Sequence, residues 1–334
     1  MEARRAAIIG IAGTSLTAEE AAVLRRHRPL GTILFRRNVE SPAQLRALNA
    51  ALREELGEDA PILVDQEGGR VARLRPPHWA AHPPPSVFEG RPEAAAEANA
   101  ALLGLASAES GFDVVCAPLL DLRLPGAHEV IGDRAFSADP AEVARLGAAW
   151  VRGLQSAGCI PVIKHIPGHG RALVDSHEGL PRVAASAADL ALDIAPFRDL
   201  AEMGAWAMTA HVLYTAWDAA LPATLSPAII DGVIRGEVGF DGVLVSDDLA
   251  MGAMAGLSNE LANDLAGAAL GAGCDVVLHC TGVLAETAVL LAGCPVLTDA
   301  ALRRLAAARA VRDARRRPLG ADYLAAQRDR LLAA

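Results

Sequence analysis

The sequence predicts a single-domain (β/α)8 TIM barrel of the α/β class. Three observations carry that expectation. Eight short apolar runs recur along the chain, helical stretches with start and stop signals separate them, and ionisable residues gather just past the ends of several runs.

The runs span residues 6–12, 31–35, 61–64, 113–119, 160–165, 205–211, 242–246 and 274–279. They are apolar on both faces, as strands buried in a parallel sheet should be. After the first, Thr17 and Glu20 have capping-box spacing. After the second, Ser41 stands as N-cap before Pro42, with Gln44 three residues past the cap, and Gly57 sits where a helix C-terminal glycine belongs. The third run leads into a long connection in which His82-Pro83-Pro84-Pro85 reads as a rigid loop. After the fourth, Asp139-Pro140 with Glu142 repeats the start signal and Gly158 the stop; Ser226-Pro227 gives another start before the seventh run. No GxGxxG turn follows the first run, so a doubly wound sheet is the weaker reading. The barrel is expected over about 6–295. Residues 299–334 read as one or two C-terminal helices broken near Pro318-Leu319-Gly320, with Arg315-Arg316-Arg317 as a solvated face. With no internal linker or low-complexity segment, residues 1–334 are expected to form one catalytic domain.

Of the 334 residues 52% are apolar and 21% charged, the balance of a chain with a large core. A net charge of -9 speaks against a nucleic-acid partner, which favours a basic face. The opening Met1-Glu2-Ala3-Arg4-Arg5 leads only into the short first run, so neither a secretory leader nor a membrane span is expected. Cys116, Cys159, Cys274, Cys280 and Cys294 lack CxxC spacing and lie mostly in apolar runs, which predicts buried free thiols. The expectation is a cytoplasmic monomer or weak homo-oligomer without a metal or organic cofactor.

In a barrel, active groups sit at the C-terminal strand ends and in the loops beyond. The third run leads into Asp65-Gln66-Glu67-Gly68-Gly69-Arg70, the fifth into Lys164-His165-Ile166-Pro167-Gly168-His169-Gly170, the sixth ends at His211, and the seventh at Ser246-Asp247-Asp248. Between Lys164 and His177 three histidines and an aspartate share a glycine-containing stretch. The Asp175-x-His177 spacing lets a carboxylate bond an imidazole on one loop, stabilising the imidazolium, which suits a group that gives and retrieves a proton near neutral pH. Gly168 and Gly170 suggest that this loop swings over a substrate. Of Asp247 and Asp248, only one is expected to enter the pocket, because successive strand residues point opposite ways. By residue type alone, that carboxylate is either a glycosidase nucleophile or a metal ligand.

The stretch Lys164 to Gly170, followed by Asp175-Ser176-His177, resembles the signature of glycoside hydrolase family 3, most closely its single-domain bacterial β-N-acetylglucosaminidases of peptidoglycan recycling. Asp65 to Arg73, Val130-Ile131-Gly132-Asp133-Arg134 and Ser246-Asp247-Asp248-Leu249-x-Met251 match further motifs of that family in the same order, and Gly31 to Phe35 also fits. The resemblance runs from about residue 6 to about residue 280. It implies Asp247 as nucleophile, His177 as acid/base with Asp175 as its partner, and Asp65, Arg73, Arg134, Lys164 and His165 as residues that hold the amino sugar. Ile166 replaces a usual aromatic and Ala250 a common serine, neither at a position expected to carry chemistry. Larger family members carry a second domain that can supply a glutamate acid; a chain of this length is expected to find its acid in the barrel. Three alternatives remain. A metal-dependent hydrolase would draw ligands from His165, His169, Asp175, His177, His211 and Asp247, although the first run ends in Ile11-Ala12-Gly13 without a His-x-His pair. A non-catalytic sugar-binding barrel would not need both Asp247 and His177. A phosphorylase would use phosphate in place of water.

Overall fold

A computed structural model describes residues 3–255 and 264–333. Eight parallel strands close into a barrel: β1 (Arg5–Gly10), β2 (Pro29–Leu34), β3 (Ile62–Val64), β4 (Val114–Val115), β5 (Ile160–Ile166), β6 (Trp206–Thr209), β7 (Leu244–Asp248) and β8 (Val276–His279). Each strand pairs with its sequence neighbours, and β1 closes on β8 through Ala7 opposite Val277. Around them lie α1 (Ala18–His27), α2 (Pro42–Leu56), α3 (Glu93–Glu109), α4 (Pro140–Ser156), α5 (Ala187–Asp199), the π-helical α6 (Ala228–Glu237), α7 (Leu265–Ala272) and α8 (Leu284–Gly293). The C-terminal α9 (Asp299–Arg315) and α10 (Ala321–Ala333) follow, separated at the expected Pro-Leu-Gly break.

The start signals act through their side chains. Thr17 and Glu20 form a reciprocal capping box, Ser41 accepts from Gln44 N–H, Asp139 from Ala141 N–H, and Ser226 Oγ from Ile229 N–H. Glu142 instead binds Gly90 N–H and Arg145. The strands lie between the packed barrel interior and the helices, which is why their sequences lack alternation. Phe88 and Phe136 meet Trp150 edge-on beneath α4, at 5.4 Å between ring centroids. All five cysteines are free and buried. Among the described residues, no helix is long and apolar enough to cross a membrane.

Two strands differ from expectation in ways that shape the site. The fourth run pairs as a strand only at Val114–Val115. Pro118 supplies no ladder N–H, and the chain rejoins the sheet through a bridge from Leu119 to Lys164. The seventh strand runs past Ser246 through both aspartates. Its register slips between Val245, opposite Val276, and Asp248, opposite Leu278, an irregularity that spans Ser246 and Asp247. A second slip, between Lys164 and Ile166, falls at His165. Bulges re-aim side chains, and both occur where ionisable groups meet the barrel mouth.

Candidate active site

A cavity of about 300 Å³ opens at the C-terminal end of the barrel, and all eight candidate site residues of the sequence line it. On one wall, charged groups form a ladder of alternating sign. Arg73 donates to Asp65 Oδ2 at 2.9 Å; Lys164 Nζ lies 3.1 Å from Asp65 Oδ1 and 2.7 Å from Glu67 Oε1; Arg134 grips both Glu67 oxygens at 2.8 and 2.9 Å. Burial works against the charge on Asp65, but Lys164 and Arg73 outweigh it and hold the carboxyl below its usual range. Glu67 is held down in the same way by Arg134 and Lys164. Burial likewise opposes the charge on Lys164 and Arg134, and their carboxylate partners raise both above their ordinary values. Each carboxylate of the ladder thus stands between cations already in place.

Glu67 joins the site although its motif alone assigns it no role. A sequence signal exists: alternate residues of an extended segment share a side, so Asp65 and Glu67 face the same way. Gln66 between them turns inward, where its Oε1 accepts from Arg73 N–H and Leu74 N–H. Asp121 does not line the cavity but braces His165, which does, and the sequence patterns do not single it out. It is buried and accepts from His165 N–H, from His165 Nδ1 at 2.7 Å and from His169 N–H at 2.6 Å. Burial opposes its charge, yet these contacts keep it ionised below the usual range. Its position just past the fourth apolar run, 113–119, is the sequence signal that points to it.

Asp247 lines the cavity from this irregular stretch. Burial opposes its charge, but nearby His211 and His165 and a 2.8 Å bond from Asp248 N–H hold its pKa below the ordinary value. Asp248, by contrast, is fastened by Ala250 N–H at 3.1 Å and Cys280 N–H at 3.0 Å, and burial pushes its pKa up. The adjacent carboxylates thus have different surroundings. Both line the cavity, so the expectation that only one would enter it fails: the register slip between Val245 and Asp248 breaks the alternation of the strand, and Asp248 differs in being bonded as well to the Ala250 and Cys280 amides.

Facing them is the loop that carries Asp175 and His177. Asp175 Oδ1 accepts from His177 N–H at 2.9 Å and lies 2.7 Å from His177 Nδ1, which leaves Nε2 as the working nitrogen. The His177 side chain is 65% exposed. Two observations alter the expectation for this loop. Gly168 (φ 129°) packs against Asp193, and a Cβ on Gly170 would sit 2.2 Å from Leu122 O, so both glycines permit close approach and neither is a free hinge. His169 is buried, contacts Ser176 Oγ through Nε2 at 3.2 Å, and is pushed down to about 4 by burial and by His165. His211 does not line the cavity; its nitrogens engage Thr224 Oγ1 and Asp248 O. Among the described residues, no group of three or more His, Cys, Asp or Glu side chains is gathered as a metal-binding set.

Comparison with known proteins places this geometry in context. Residues 6–306 match the model of the glycosyl hydrolase family 3 N-terminal domain. A β-hexosaminidase of Alkalilimnicola ehrlichii is 44% identical over 85% of this chain and 82% of its own length. That of Stenotrophomonas maltophilia is 40% identical over 84% and 85%. Among solved structures, NagZ from Neisseria gonorrhoeae in complex with N-trifluoroacetyl-D-glucosamine superposes with a TM-score of 0.85 at 31% identity, covering 99% of this chain and 98% of that one.

Proposed function

The chain belongs to glycosyl hydrolase family 3, and from that premise we propose that it is a retaining β-N-acetylhexosaminidase removing terminal β-linked N-acetylglucosamine. The observation that carries the reading is a pairing: the ionised Asp247 and the Asp175-braced His177 line one cavity. At about 300 Å³ that cavity is at the small end for ligand sites, which suits a single terminal sugar.

In the proposed reaction Asp247 attacks the anomeric carbon while His177 Nε2–H protonates the departing glycosidic oxygen. The imidazole, now neutral, takes a proton from water as that water displaces Asp247 and releases the sugar. Asp175 stabilises the imidazolium and holds its orientation. Arg73, Asp65, Lys164, Arg134 and His165 bind the ring hydroxyls and acetamide through directional, charge-assisted bonds. We take residues 1–334 as one catalytic domain, acting as a monomer or weak homo-oligomer on an amino-sugar substrate, with muropeptides as its source. Buried free thiols fit the reducing cytoplasm.

The test is hydrolysis of chromogenic β-N-acetylglucosaminide, β-glucoside and β-xyloside, each with and without phosphate. Preference for the first, unchanged by phosphate, is expected. Phosphate-dependent release of sugar phosphate would make the chain a phosphorylase, and absence of turnover would leave a sugar-binding barrel.

A further inference from the structure

The strand that carries Asp247 runs, five residues later, into a tight turn over Gly252–Met254. This turn touches the main chain of the opposite loop at two points. Ala253 N–H donates to Ser176 O at 2.9 Å. Gly252 lies so close to His177 that a Cβ added there would stand 2.4 Å from His177 O, 3.0 Å from its carbonyl carbon and 3.1 Å from Glu178 C. All of these are backbone atoms, which cannot rotate away as a side chain can. Ala253, Met254 and Ser176 are all buried, so the contact between turn and loop is made away from solvent. The exposed imidazole has Asp175 as its side-chain partner, and both belong to the same loop.

We propose that Gly252 and the Ala253 amide are positioning groups for His177: the segment leaving the Asp247 strand sets the height of the acid/base above the nucleophile. Both reacting groups are thereby referenced to a single element. The inference rests on the role assigned to His177 under the proposed function, and its test separates the two.

The experiment compares the full chain with Gly252→Ala, His177→Ala and the double variant. Aryl β-N-acetylglucosaminides with good and poor leaving groups are used, and the glycosylation step is followed. A displacement of about 1 Å can cost on the order of 100-fold. Gly252→Ala is accordingly expected to slow the poor leaving group roughly 10- to 100-fold and the activated one by no more than about twofold. In the double variant it should add nothing to His177→Ala, because residues acting through one another are non-additive. An independent further loss in the double variant, or equal losses for both leaving groups, overturns the inference. His177→Ala without leaving-group dependence overturns the function reading instead. Cooperative melting checks that each variant folds. If Gly252→Ala does not fold, Ala253→Pro, which removes the amide donor, carries the same comparison.

Discussion

The two walls of the cavity are built on opposite plans. The ladder from Arg73 to Arg134 ties Lys164 of a barrel strand to the connections after the third and fourth strands, and its Lys164 and Glu67 side chains are only 3% and 1% exposed, every charge facing its opposite. The His177 wall is a loop whose working imidazole is 65% exposed and braced by one carboxylate. A sugar-holding surface gains from rigidity, since the cost of ordering is met during folding. A proton-transferring group must reach both the departing oxygen and the incoming water. The contrast teaches that substitutions on the ladder should affect binding and stability together, whereas those on the loop should affect chemistry alone.

The largest effect is expected at Asp247, where the walls meet. Asp247→Asn should reduce turnover on the order of 10⁶-fold, the scale seen when a nucleophile is removed, with a cooperative melt retained. A 2-fluoro sugar should label Asp247 in the parent protein; mass spectrometry finding the label on Asp248 would overturn the assignment.

His177→Ala should cost about 10²- to 10⁴-fold on a poor leaving group and much less in the first step of an activated aryl glycoside. The second step needs a base for either substrate, so a burst followed by rescue with azide is expected. Asp175→Ala should give a milder version of the same pattern. Equal losses for both substrates, with neither burst nor rescue, would shift the role to another group.

Glu67→Ala tests the other wall. It leaves Lys164 and Arg134 buried with fewer partners, and denaturant titration should show a loss of about 3–5 kcal/mol. Catalytic efficiency should fall alike for good and poor leaving groups. His177→Ala, by contrast, should change stability by less than about 0.5 kcal/mol, as surface substitutions do. If the two variants melt alike, the division between walls is wrong.

The smallest effect is in pH. Asp65 and Glu67 have folded pKa values below their ordinary ones, so their stabilisation is complete above the usual carboxylate range and is lost as pH falls through the lower folded values. Stability of the parent protein should therefore decline with acid below about pH 4, and Glu67→Ala should flatten that decline. Parallel acid titrations would contradict the ladder's ionisation.

Much of the molecule is legible in the sequence because the relevant signals are local. Strand and helix alternation, the caps at Thr17, Ser41 and Asp139, and the Asp175–His177 pair each depend on residues a few positions apart. The tertiary structure alone decides which ionisable groups far apart in the chain work together. Glu67 and Arg134 are 67 positions apart, and Asp121 reaches His165 across 44. Neither pairing leaves a periodicity to read. The register slips around His165 and across Ser246 and Asp247 likewise arise from pairing with neighbouring strands, so which way those side chains point is a property of the closed barrel. His211, at a strand end like the others, spends both nitrogens on the fold because closure brings Thr224 and Asp248 to it. Periodicity and capping determine elements along the chain, whereas charge pairing through space is settled only once the barrel has closed.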